Sequence, residues 1–197
     1  MRLIGLCGRS GSGKSVFTQS AREAGIDVID CDAVYAEMVS HPSPCLAEIA
    51  RAFGENAVHG GALNRAYLAP LVFADSKKLA RLNRISHRHI KARLREMLAE
   101  YGENATVLLD APTLFESGID SWCDTVIGVV APYEECVKRI TERDGITHEQ
   151  AEARLNSQIS ESFIYENCDI ILYNDSDLQT FAAQSLALAK EIAEGKV

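Results

Sequence analysis

Gly8-Arg9-Ser10-Gly11-Ser12-Gly13-Lys14-Ser15 follows the apolar run Leu3-Ile4-Gly5-Leu6-Cys7 and leads into an amphipathic stretch over 15–24. The spacing G-x-x-x-x-G-K-S between a predicted strand and a predicted helix is that of a phosphate-binding loop. Its glycines Gly8, Gly11 and Gly13 let backbone N–H groups, including that of Ser12, turn inward around phosphate oxygens. The start of the helix adds its positive dipole end. Lys14 is placed to reach the β- and γ-phosphates, and the Ser15 hydroxyl to ligate Mg²⁺.

Outward from the loop, apolar runs alternate with helical patterns. Strands are expected at Leu3–Cys7, Asp27–Asp30, Thr106–Asp110, Thr125–Val130 and Asp169–Leu172. Amphipathic stretches fill about 33–40, 44–54, 76–101, 132–143, 147–158 and 177–194. The reading is α/β: a P-loop NTPase-like parallel five-stranded sheet flanked by helices. The interval 31–105 is too long for a simple crossover, so a helical insertion is expected there. One chain, 1–197, is thus divided into a core of about 1–32, 104–131 and 166–197, a helical substrate-side subdomain of about 33–103, and a helical lid of about 132–165.

The 197 residues carry 20 Lys+Arg against 28 Asp+Glu, a net charge of −8, and are 47% apolar. That content suits a single folded chain and argues against disorder. The negative balance argues against nucleic-acid binding, which draws its affinity from basic residues. Yet Lys77, Lys78, Arg81, Arg84, Arg88, Lys91, Arg93 and Arg95 lie in one stretch without an acidic residue. Within it Arg81, Arg84, Arg88, Lys91 and Arg95 form one helical stripe, read either as a solvated face or as a surface for an anion. No apolar run approaches the roughly 18 residues of a membrane span, and Met1–Cys7 is too short for a signal peptide. Six cysteines without a C-x-x-C pair read as buried thiols, so a cytoplasmic protein is expected.

Three acidic or basic groupings extend the phosphate reading. Asp30-Cys31-Asp32 closes the second strand, and alternation in an extended segment would set both carboxylates on one face. Asp32 there serves as a base for an attacking hydroxyl or as a helix N-cap. Asp110 ends the third strand as a magnesium partner or a turn former. Arg139 and Arg143, four apart, and Arg154 and Gln158, four apart beyond Gly145, suggest a helix–turn–helix lid over the transferred phosphate. No N-K-x-D is present to read guanine, and no D-x-x-G follows the third strand, which disfavours a GTPase switch.

Taken together, the chain resembles the dephospho-CoA kinase family over nearly its whole length. The resemblance rests on Ile4 to Gly8 leading into Ser10 to Ser15, and on Gly25-Ile26-Asp27-Val28-Ile29-Asp30-Cys31-Asp32. It continues through Leu63-Asn64-Arg65, Leu71-Val72-Phe73, Leu82-Asn83 with His87 and Ile90, and Leu109 to Glu116. Arg139, Arg143-Asp144, Arg154 with Gln158, Cys168 to Ile171 and Asn174 complete it. The family implies ATP- and Mg²⁺-dependent phosphorylation of the ribose 3′-hydroxyl of dephospho-CoA, the last step of CoA synthesis, with the helical insertion on the CoA side. It implies Asp32 as catalytic base with Lys14 and Arg139 in catalysis, and Gly11 to Val16 as the ATP loop. Arg143 and Asn174 then fall on the nucleotide side, the latter near the adenine, and Ser15 with Asp110 on the metal. His87, Arg81, Arg84 and Arg154 fall on the acceptor side. The chain departs from the family pattern at Arg9, Cys31, Arg88 and Thr113. Other readings are a small-metabolite kinase of shikimate or gluconate type and a nucleotide-binding module without catalysis.

Overall fold

The computed structural model describes residues 1–196. In chain order it forms β1 (Arg2–Gly8), α1 (Lys14–Glu23), β2 (Asp27–Asp30), α2 (Cys31–Met38), α3 (Pro44–Phe53), the two-residue strands β3 (Val58–His59) and β4 (Ala62–Leu63), α4 (Arg65–Phe73) and α5 (Ser76–Leu98). Then follow β5 (Thr106–Asp110), α6 (Leu114–Ser117), β6 (Thr125–Val130), α7 (Tyr133–Asp144), α8 (His148–Asn156), α9 (Glu161–Asn167), β7 (Ile170–Tyr173) and α10 (Leu178–Ala193).

Two compact units divide the chain: residues 1–30 with the chain from Gly102 onward, and Cys31–Tyr101. The first holds a parallel five-stranded sheet in the order β2-β5-β1-β6-β7. Its inner strands β1, β5 and β6 are buried on both faces, which is why they read as near-continuous apolar runs. Ile4, Leu6, Phe17, Leu108, Ile127 and Phe181 are its fully buried centre, joining the sheet to α1 and α10. A satellite cluster of Val137, Ile140, Ala151 and Leu155 packs α7 on α8. The second unit has its own core of Leu46, Ile49, Leu68, Val72 and Ile85, with α5 along it.

Register determines where chemistry can gather. Leu6 pairs with Asp110 across β1 and β5, and Asp110 pairs with Asp30 across β5 and β2, so both carboxylates end their strands at the edge where β1 runs into the loop. In open parallel sheets that carboxyl edge is where ligands bind.

The structure differs from the sequence reading at several places. The last strand is shifted by one residue to Ile170–Tyr173; Asp169 just before it already binds the neighbouring β6, its carboxylate accepting from the Val126 N–H at 2.8 Å and its N–H donating to the Val126 carbonyl at 2.9 Å. The helices α4, α6 and α9 and the β3–β4 hairpin were not expected. Asp30 and Asp32 do not share the face of an extended segment: β2 stops at Asp30 and α2 begins at Cys31, which puts Asp32 in the first helical turn. Gln158 lies beyond the end of α8, so the helical spacing with Arg154 does not hold. Among the described residues no helix is long and apolar enough to cross a membrane.

Candidate phosphate-transfer site

The loop between β1 and α1 is built around positions that only glycine fills. Gly8, Gly11 and Gly13 have φ of 151°, 78° and 107°. A Cβ on Gly11 would lie 2.7 Å from the Cys136 carbonyl oxygen, and one on Gly13 would collide with the Asn174 amide and come within 3.0 Å of the Phe181 ring. Asn174 is buried and donates to the Ser12 carbonyl at 2.8 Å. From just beyond the end of β7 it supports the loop. Val16 packs on the core and closes the first turn through its N–H to the Gly13 carbonyl.

Each cation near the loop is held on a neutral carbonyl. Lys14 Nζ donates to the Gly8 carbonyl at 2.6 Å, and Arg139 Nη1 from α7 donates to the Gly11 carbonyl at 3.1 Å. Arg9 donates to the Leu155 carbonyl at 2.8 Å and lies 5.6 Å over the Tyr133 ring. Gln158 accepts from the Ser10 N–H at 2.9 Å and donates to its hydroxyl at 3.0 Å. The end of α8 is therefore fastened to the loop by two side chains, Arg9 from the loop and Gln158 from just beyond the helix.

Arg143 and Arg154 behave differently. Both bind Asp144, Arg143 through Nε at 2.7 Å and Arg154 through Nη1. The pair of guanidiniums holds the Asp144 carboxyl down at about 2, the bond from Arg143 first. In this state neither arginine engages the loop; the turn between α7 and α8 occupies both.

Thr18, one turn along α1 from Lys14, has its hydroxyl 3.0 Å from both the Lys14 carbonyl and Asp110 Oδ2. The sequence reading passed over it. Its only signal was a hydroxyl on the buried side of α1 four residues after Lys14. Thr18 fixes the strand-end carboxylate that lies beside Asp30 in register.

These groups fit a magnesium nucleotide. The glycine cradle has no room for side chains, and the buried Ser12 Oγ has no hydrogen-bond partner. The Ser15 hydroxyl is exposed at the helix start, and Asp110 offers a hard carboxylate oxygen. Among the described residues no group of three or more His, Cys, Asp or Glu is arranged to hold a metal by itself. Magnesium usually takes one or two protein oxygens and completes its shell with phosphates and water.

Behind the loop, Cys7 and Cys168 approach to 3.3 Å between sulfurs, in space left by Gly128 of the intervening β6. The hydrogen bond with Cys168, then burial, pushes the Cys7 thiol up, which keeps it an inert packing group. All six cysteines are free.

The second unit carries the remaining expected residues. Asp32 is exposed on α2, and Ser86 of α5 donates to the α2 Tyr35 hydroxyl at 3.3 Å. Arg81 and Arg84 line an open groove between α3 and α5 with Glu48, Arg51, Ala52, Ile85 and Arg88; the half-buried His87 does not line it.

Comparison with known proteins adds an independent line. The family model for dephospho-CoA kinase (CoaE) matches residues 2–180. A dephospho-CoA kinase of Thermobifida fusca is 37% identical over 193 residues, 98% of this chain and 96% of that one. One of Listeria innocua is 34% identical over 199 residues, 99% of each. Among solved structures, TT1252 from Thermus thermophilus superposes with a TM-score of 0.80 at 34% identity, covering 96% and 97% of the two chains. The Campylobacter jejuni dephospho-CoA kinase gives 0.77 at 26%, covering both chains fully. A shikimate kinase from Bacteroides thetaiotaomicron, at 0.55 and 15%, shares the fold.

Proposed function

The chain belongs to the dephospho-CoA kinase family, and from that premise we propose how its own residues transfer phosphate from ATP to the ribose 3′-hydroxyl of dephospho-CoA. The reaction is an alcohol-accepting phosphotransfer that yields CoA and ADP, the last step of CoA biosynthesis.

Phosphoryl transfer asks a protein mainly for position and charge neutralisation. The observation that carries the assignment of roles is the loop itself. Its cations, Lys14 and Arg139, donate to the carbonyls of Gly8 and Gly11 at the heart of the loop. A neutral carbonyl holds a cation weakly compared with a phosphate, so the arriving γ-phosphate draws both cations off these carbonyls. Lys14 then serves the β- and γ-phosphates and Arg139 the charge that develops on the transferred group. Gly8, Gly11, Ser12 and Gly13 supply backbone N–H groups, Val16 and Asn174 hold their geometry, and Ser15 with Asp110 would hold magnesium. Magnesium held there would neutralise negative charge on the nucleotide's phosphates. Asp32, in the first turn of α2, accepts or orients the 3′-hydroxyl proton. Arg143 and Arg154 reach the nucleotide and the acceptor after leaving Asp144, and His87 contributes on the acceptor side. The absence of a membrane-spanning helix among the described residues, the free thiols and the negative net charge support a cytoplasmic enzyme acting on small molecules rather than nucleic acid.

A coupled ADP-release assay with dephospho-CoA tests the reading, with shikimate and gluconate as competing acceptors. Turnover confined to dephospho-CoA is expected. Asp32→Asn should lower kcat about 10²–10⁴-fold, the usual contribution of a positioned base, with the melting temperature retained. Unchanged kcat in that variant would remove Asp32 from the chemistry.

A further inference from the structure

We infer that the groove between α3 and α5 is a binding site for an organic diphosphate, formed entirely by residues 48–88 and sharing none with the phosphate loop. It encloses about 540 Å³ and is lined by four arginines and a single carboxylate, Glu48. That carboxylate is already occupied: His89, at 2.9 Å, and Arg88 both bind its Oε2, and the bond from His89 first, then that from Arg88, holds Glu48 below the usual carboxylate range. Three guanidiniums, those of Arg51, Arg81 and Arg84, are left without a carboxylate among the described residues.

Two of the three are held in place. Arg51 donates Nε to the Ala47 carbonyl at 3.2 Å, which fixes the guanidinium plane and leaves its Nη donors unused. Arg81 lies 5.9 Å over the Phe53 ring, a cation–π contact that orients it without consuming its N–H groups. Arg84 has no hydrogen bond, ion pair or ring contact among the described residues. Guanidiniums pair with phosphate oxygens in a planar, two-pronged fashion that lysine cannot reproduce. Three of them around one hollow match the oxygens of two linked phosphates better than a single monoanion. Ala52 and the buried Ile85 contribute apolar surface at the same place, suited to an organic group attached to the diphosphate. An ordinary solvated face does not explain the pattern, because it would intersperse acidic residues, and α5 has none from Lys77 to Arg95.

The diphosphate has two chemical sources. Dephospho-CoA carries one between its adenosine and pantetheine halves, and this source rests on the kinase reading above. The other is a separate diphosphate-bearing effector. Calorimetric titration of the full chain with inorganic pyrophosphate, at low ionic strength, should show two equivalents bound. Arg81→Gln/Arg84→Gln should lose one equivalent, and Lys14→Ala should lose the other. Arg84→Gln alone, which breaks no contact, should weaken the groove equivalent by about tenfold, the scale of one charge-assisted pair, and serves as the variant whose fold is not at stake. If the double variant also raises KM for dephospho-CoA by about tenfold or more with kcat unaltered, the acceptor's own diphosphate occupies the groove. If KM stays while the second equivalent disappears, a separate diphosphate is the ligand. A single equivalent in the wild type, or two surviving in the double variant, overturns the proposal. Failure of the wild type to phosphorylate dephospho-CoA while two equivalents bind would remove the kinase reading and leave the groove standing.

Discussion

The phosphate loop and the α3–α5 groove both gather cations, yet they hold them in opposite ways. In the loop, Lys14, Arg139 and Arg9 each rest on a backbone carbonyl, and glycines with positive φ set the backbone so tightly that one added methyl collides with a neighbour. In the groove, Arg51, Arg81 and Arg84 project from two helices over an open hollow, and no backbone group takes part apart from the Ala47 carbonyl. The contrast separates two uses of positive charge. A transfer site needs preorganised donors that cost little to redirect at the moment of reaction, whereas a capture site needs long-range attraction that salt can weaken.

The largest effect should come from breaking the loop's side of this comparison. Lys14→Ala removes the cation nearest the transferred group and should lower kcat about 10²–10³-fold, with little change in melting temperature, as read by the coupled assay and a thermal melt. A loss confined to KM for ATP would put Lys14 in the same class as the groove arginines and erase the distinction.

Next in size is the backbone itself. Gly13→Ala combines a left-handed φ of 107° with a collision against Asn174 and Phe181. Urea unfolding should show a loss of about 2–4 kcal/mol, the range for strain plus a buried clash, and ATP should no longer bind. Gly145→Ala provides the control: its φ is 64° but nothing lies within 4 Å of the added carbon. A cost near 1 kcal/mol is expected there, from the left-handed conformation alone. Equal costs at the two positions would mean that conformation, and not the Asn174 contact, determines the loop.

How much of this was legible in the sequence divides along the same line. The sheet was legible because β1, β5 and β6 are buried on both faces and leave continuous apolar runs; β2, β5 and β6 start and end where those runs do. Helix α4 left no such trace, since Arg65–Phe73 is apolar on most sides and holds Pro70 in its interior. Helix α9 is seven residues long with only Ile164 buried, and depends on Ser160 as its cap. The loop was legible as a motif, but its supports were not. Asn174 meets Ser12 across 162 residues and Thr18 meets Asp110 across 92, and no local pattern encodes a pairing at that range. Asp32 was offered as a candidate at the strand end and again by the resemblance, but the strand alternation does not hold because α2 begins at Cys31. The groove was half visible: the stripe on α5 named Arg81 and Arg84, but Arg51 belongs to another helix and joins them only after folding.

A smaller effect is expected at the turn between α7 and α8. Asp144 is paired with Arg143 and Arg154, and its carboxyl is lowered to about 2. A depressed folded value means that the stabilisation is present above the unfolded value of about 3.9 and is lost as pH falls towards 2. Melting curves of the wild type and Asp144→Asn should therefore differ by a constant amount between pH 5 and 7 and converge as pH approaches 2. The substitution also frees both arginines, so KM for ATP should fall by about two- to threefold as Arg143 closes on the nucleotide. A difference that persists at pH 2 would mean that Asp144 acts by shape and not by charge.

The smallest effect tests the groove from within. Glu48→Gln removes its single carboxylate and leaves Arg88 without a counter-charge. The hollow then gains about one unit of positive charge at nearly constant shape. Pyrophosphate affinity for the groove equivalent should rise about two- to fivefold at low salt, and the gain should shrink at 0.5 M salt, because an exposed charge acts through screened solvent. The opposite sign is equally informative: a weaker site would mean that Glu48, through its unshared Oε1 or by steadying Arg88 and His89, is part of the recognition geometry. The groove would then resemble the loop, a preorganised site whose arrangement matters more than its net charge.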